Sequence, residues 1–143
     1  MAGRLQAEGK VIMKTLQSIL QRKEERRKAL EDNLPRVIEQ LKALGALRVI
    51  LFGSLVRGET GPRSDLDILA IMPSSLSSHD WMQKVYAEVE RGIACDILTY
   101  TETDLQEMLP TSRFLRRALK EGRVVYEAGS TGRSAALADP GQG

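Results

Sequence analysis

Apolar residues recur at helical spacing over residues 10–30. There Ile12, Leu16, Ile19 and Leu20 interrupt a stretch rich in Gln, Lys, Glu, Arg and Ala. Asn33 and Pro35 then break the pattern, and Asn33 is placed to cap a new helix with Pro35 in its first turn. Leu34, Val37, Ile38, Leu41 and Leu44 give that helix its apolar stripe, and Gly45 ends it. Residues 48–52 (RVILF) form a short apolar run followed by glycine, the mark of a buried strand. Residues 53–63 hold three glycines and a proline, which predicts a turn-rich loop with room for one helical turn. A second strand follows over 66–72 (LDILAIM), stopped by Pro73 and the serines of 74–78.

The rest of the chain alternates in the same way. Residues 79–91 predict a helix capped by Ser78, with Trp81, Val85 and Val89 on one face and Gly92 as the stop. Residues 93–99 (IACDILT) predict a third strand. Thr103 and Gln106 match a capping box for a short helix over 104–109. Ser112 is placed to cap a last helix through Lys120, with Phe114, Leu115, Ala118 and Leu119 inward, and 124–126 predict a closing strand. Residues 128–143 are small and polar, and a disordered tail is expected there. The order of elements is that of a mixed α/β (α+β) domain, a small mixed sheet flanked by helices.

Size and charge narrow the class. A chain of 143 residues is one ordinary domain. The net charge of +2 is too small to imply a nucleic-acid partner by itself. It is unevenly spread, with ten Lys/Arg against six Asp/Glu in residues 1–44 and eleven against thirteen in the remainder. The cluster Arg22, Lys23, Arg26, Arg27, Lys28, interleaved with Glu24 and Glu25, reads first as a solvated helix face and second as a contact for an acidic surface or nucleic acid. The helix that carries it could equally dimerise, dock a partner or cover the sheet. Cys95 is the single cysteine, so no disulfide forms within the chain. No apolar run approaches the ~20 residues of a membrane span, and the first residues lack the apolar core of a signal peptide, so a cytoplasmic protein is expected.

Three carboxylates stand out against this background. Asp65 and Asp67 are two apart around an apolar strand, so their side chains share a face. Ionised groups on an interior strand need partners, which places them at its open end, where they could share a divalent cation. Hard oxygen ligands suit Mg2+, with Mn2+ as a substitute. Asp96 lies inside another apolar strand and reaches the same cluster if the two strands are neighbours. Like charges so close call for compensating cations. Gly53 and Ser54 follow the first strand directly, where glycine lets the backbone approach a phosphate and Ser54 can donate to it. Arg57 and Arg63, in the same loop, could meet phosphate charge.

The run GSLVRGETGPRSDLDILAIM resembles the signature of the DNA-polymerase-β-like nucleotidyltransferase superfamily: Gly-Ser, a loop with Arg-Gly, then Ser-Asp-x-Asp on a strand. It is most similar to the minimal nucleotidyltransferase (MNT) group. The resemblance covers about residues 33–127, leaving 1–32 as a helical extension longer than a minimal member needs and 128–143 as a tail. It implies that Gly53 and Ser54 grip the nucleotide phosphates and that Asp65, Asp67 and Asp96 hold two Mg2+ ions. It implies transfer of a nucleoside monophosphate, AMP from ATP, to a hydroxyl, with Asp96 taking the proton. Leu55 and Val56 stand where relatives often carry polar or small residues. Minimal members are often paired with a HEPN-domain toxin, which implies an antitoxin role with the toxin as acceptor.

Other readings of the same residues are weaker. Residues 53–60 approach a P-loop, but Glu59 stands where the phosphate-binding lysine belongs. Asp-x-Asp also serves as the metal clamp of nucleotide-sugar glycosyltransferases, but the Gly-Ser loop is not theirs. His79 reads as a surface residue, and Cys95 as a small core residue facing away from Asp96. Two further functions stay open at this level. One is a non-catalytic antitoxin that neutralises by occlusion, and the other is a stand-alone enzyme for a small molecule or RNA.

Overall fold

The computed structural model describes residues 2–92 and 95–129. The tail expected over 128–143 therefore lies, beyond Gly129, outside the described residues. The chain opens on one helix, α1 (Ala2–Leu44), 43 residues long with Pro35 inside it. The break expected at Asn33 and Pro35 does not occur. Pro35 removes one intrahelical hydrogen bond. Burial on both sides of it holds the helix together, since Leu30, Leu34, Val37 and Leu41 all enter the core. Asn33 caps nothing; it is buried, and its side-chain amide donates to the Arg91 carbonyl at 2.5 Å. Ile12 and Leu16 lie 18 residues before Leu30 and Leu34, about five helical turns, so they extend the same stripe. There, however, the stripe is exposed.

After α1 come β1 (Arg48–Phe52), a single helical turn α2 (Ser54–Arg57), β2 (Leu66–Met72), α3 (Ser78–Glu88) and β3 (Cys95–Thr101). The chain then forms α4 (Glu102–Met108), α5 (Arg113–Glu121) and β4 (Arg123–Glu127). The four strands make one mixed sheet in the order β3-β2-β1-β4. β1 is antiparallel to β2 and β4, whereas β2 runs parallel to β3, joined to it through α3.

Strand alternation divides the core in two. Val49, Leu51, Leu66, Ile68, Ala70, Met72 and Ile97 pack under α1 and α3. Ile50, Leu69 and Ile71 face the other way, against Leu105, Leu115 and Ala118 of α4 and α5. β2 is covered on both faces and is accordingly apolar at every position but Asp67. Among the described residues no helix is long and apolar enough to cross a membrane.

Several caps differ from expectation by a residue or two. Ser77, not Ser78, caps α3, accepting from the Asp80 N–H at 3.0 Å. Ser78 instead ties three elements together: its hydroxyl donates to Asp104 at 2.6 Å and accepts from the Thr101 N–H at 2.9 Å. β3 runs on to Thr101, and that residue caps α4 in place of Thr103, accepting from the Asp104 N–H at 3.1 Å. Residues 93–94, expected to start this strand, lie outside the described residues. Ser112 caps α5 as expected. Phe114 does not turn inward; it is 45% exposed and meets Phe52 edge to face, ring centroids 5.5 Å apart.

Candidate active site at the paired carboxylates

The site is built where β1 ends beside the beginnings of β2 and β3. β1 delivers the chain to Gly53, whose φ of 87° and ψ of −155° only glycine adopts without strain. Gly53 lies directly on the side chain of Asp67. A Cβ added at residue 53 would stand 3.0 Å from the Asp67 Cγ and closer still to Oδ2. The glycine therefore serves two ends, an unusual turn and a close approach of backbone to carboxylate.

Asp67 and Asp96 are register partners on the parallel pair. Neighbouring strands are spaced by about 4.8 Å, so the two carboxylates rise from adjacent positions on one face. That face is the α4/α5 side, shared with Leu69 and Leu98. Cys95 lies on the opposite face, against the α1/α3 core, as expected from alternation. Burial pushes its thiol up to about 12, so it is protonated at neutral pH and no nucleophile. His79 is exposed, also as expected.

Asp67 is partly buried, and its carboxyl titrates above the ordinary carboxylate range. Desolvation is the main cause, followed by the charges of Asp96 and Asp65, with Arg57 opposing. A carboxyl raised in the folded state favours folding while protonated. That contribution is complete below the unfolded pKa and is lost as pH rises through the folded value. The wild-type protein should therefore lose stability relative to Asp67→Asn as pH climbs from about 4 toward neutrality. Thermal melts of both proteins across that range test it, and a gap that narrows as pH rises would count against repulsion at Asp67.

Asp65 sits just before β2, near enough to Asp67 for its charge to act there, and within reach of Arg26 of α1. Its Oδ1 lies 3.5 Å from a guanidinium nitrogen of Arg26, and the same arginine donates from Nε to the Ser64 carbonyl at 2.7 Å. Among the described residues no group of three or more His, Cys, Asp or Glu side chains converges closely enough to hold a metal ion. Asp65, Asp67 and Asp96 thus share one edge of the sheet without closing into a cage. Their donor chemistry fits a hard divalent cation. Asp67 and Asp96 offer acceptor oxygens from adjacent strand positions, and their mutual repulsion is the kind a cation relieves.

A cleft of about 270 Å³ opens beside Asp67. Gly53 and Asp67 line it together with Phe52, Val56 and Phe114, and Arg57 and Arg117 bring cations to it. Arg57 is also paired with Glu59 at 2.8 Å. Arg63 is exposed and is not among the lining residues. Ser54 opens α2, and its hydroxyl has no hydrogen-bond partner among the described residues. Sequence reasoning missed Arg117, Phe52 and Arg26. For Arg117 a weak signal existed: it lies about one helical turn after Phe114 on the same helix.

A family model described as "Nucleotidyltransferase domain" matches residues 34–126. The crystal structure of a candidate nucleotidyltransferase from Sulfolobus solfataricus superposes with a TM-score of 0.56. The two are 20% identical, and the match covers 75% of this chain and 88% of that one, a likeness of fold. No curated protein matches the chain.

Proposed function

Because this chain belongs to the nucleotidyltransferase domain family, we propose that it transfers AMP from ATP to a hydroxyl acceptor and releases pyrophosphate. The observation that carries the reading is the pairing of Asp67 with Asp96 on adjacent strands, with Gly53 laid against the Asp67 carboxylate. Asp65, Asp67 and Asp96 would hold Mg2+, which supplies charge neutralisation for the triphosphate and the leaving pyrophosphate.

The protein's own residues then do the positioning. Ser54 offers its hydroxyl to a phosphate oxygen, and Gly53 lets the backbone come close. Arg57 and Arg117 face the negative charge in the cleft, and Phe52 and Phe114 give it an apolar wall suited to a base. The acceptor oxygen attacks the α-phosphorus, and the bond from that phosphorus to the pyrophosphate oxygen breaks. Asp96, the most exposed of the three carboxylates, accepts the hydroxyl proton. The resemblance of residues 52–72 to minimal members supports a HEPN-domain protein as the acceptor.

Calorimetric titration of ATP tests the reading. Binding is expected only with Mg2+ present, and it should vanish in Asp67→Asn. Equal binding with and without Mg2+, or none at millimolar ATP, would overturn it.

A further inference from the structure

The basic cluster of α1 has one member that does not behave as a solvated surface charge. Arg26 is only 25% exposed along its side chain. It reaches across 38 residues of sequence to the backbone that immediately precedes β2. Its Nε–H bond to the Ser64 carbonyl, at 2.7 Å, is a short charge-assisted one. From that anchor the guanidinium stands 3.5 Å from Asp65 Oδ1.

The Ser64–Asp65 segment is held from its other side as well. The Gly61 N–H donates to the Ser64 hydroxyl at 2.7 Å, and the Ser64 N–H donates to the Gly61 carbonyl at 3.2 Å. These bonds close the turn on itself, and the buried Leu66 that follows fixes its exit into β2. Arg26 adds a tie from the turn to a second rigid element, α1. That element is anchored in the core four residues later by Leu30, which is fully buried. Arg26 lies outside residues 34–126, so the matched domain does not carry this tie.

We propose that Arg26 is a positioning residue. It fixes the Ser64 carbonyl and orients the Asp65 carboxylate so that Asp65 can join Asp67 and Asp96 around a divalent cation. The inference rests on the metal-dependent reading above. It gives the N-terminal helix a part in the chemistry, although no atom of Arg26 touches a nucleotide. Groups that orient a metal ligand typically change affinity by ~10–100-fold when removed.

The test is Mn2+ binding followed by electron paramagnetic resonance, with a non-hydrolysable ATP analogue present. It compares the wild-type protein with Arg26→Ala, Arg26→Lys and Asp67→Asn. Arg26→Ala should bind Mn2+ about 10-fold more weakly than wild type. Arg26→Lys should recover part of that loss, because an ammonium can still donate to the Ser64 carbonyl. Amide exchange over residues 61–65 should quicken in Arg26→Ala, while the β2 core amides stay protected and the melting temperature moves little. Unchanged Mn2+ affinity in Arg26→Ala would reduce the arginine to a surface ion pair, and tighter binding would make it a competitor of the metal; either overturns the proposal. If the wild-type protein binds no more Mn2+ than Asp67→Asn, the metal reading itself fails and the proposal falls with it.

Discussion

Asp67→Asn should melt higher than the wild-type protein and lose most of its transfer activity. The two effects share one cause. Asp67 lies partly out of water beside Asp96, so its charge opposes folding, and desolvation is the larger part of that opposition. Asparagine keeps the shape and removes the charge. Solvent screening at a half-exposed site limits the gain to roughly 1–3 °C in melting temperature. The functional loss is far larger. Groups that merely orient a ligand cost 10–100-fold, so losing the ligand itself should lower transfer by more than ~100-fold. Differential scanning calorimetry and a pyrophosphate-release assay read the two effects separately. A variant that melts lower, or that keeps magnesium-dependent activity, would remove Asp67 from the centre of the site.

Gly53→Ala should be nearly as damaging to activity, through geometry instead of charge. Residue 53 holds a backbone conformation costing a non-glycine residue ~1–3 kcal/mol. Its new Cβ would also press on the Asp67 carboxylate, which would have to move. Misplacing a reacting or binding group by about 1 Å costs roughly 100-fold in rate. Gly58→Ala separates strain from collision. Gly58 has a φ of 72°, yet a Cβ there meets nothing within 4 Å. That variant should lose ~1–2 kcal/mol of stability and keep its activity. Equal activity in the two variants would show that the contact with Asp67 is unimportant.

Much of this arrangement was legible in the residues. The strands over 48–52 and 66–72 are bounded by glycine, proline and the change in polarity, and both bounds hold. The face shared by Asp67 and Asp96 follows from alternation once β2 and β3 pair in the register that sets the two residues opposite each other. Local signals failed where a distant partner decided the outcome. Asn33 and Pro35 carry the chemistry of a helix start, but the Arg91 carbonyl claims the asparagine and core burial carries the helix through the proline. Thr103 carries the local chemistry of a cap, but β3 stays paired with β2 through Thr101, which directly precedes the helix and takes the cap itself. The inward turn of Arg26 could not be read at all, because five neighbouring cations look alike until one meets a carbonyl 38 residues away.

The parallel pairing of β2 with β3 also shapes how the protein folds. No hairpin can seed that pairing, so the segment through α3 must close before the strands reward it. Asp67 and Asp96 are 29 residues apart in sequence and feel each other only once β3 has docked. Their repulsion is therefore absent from the unfolded chain and from an isolated β1–β2 pair, and it loads onto the step that completes this part of the sheet. Protonation of either carboxylate lifts that load, and a divalent cation held there, as proposed above, would do the same, so the charges that would serve the reaction exert their cost at the moment β3 joins the sheet.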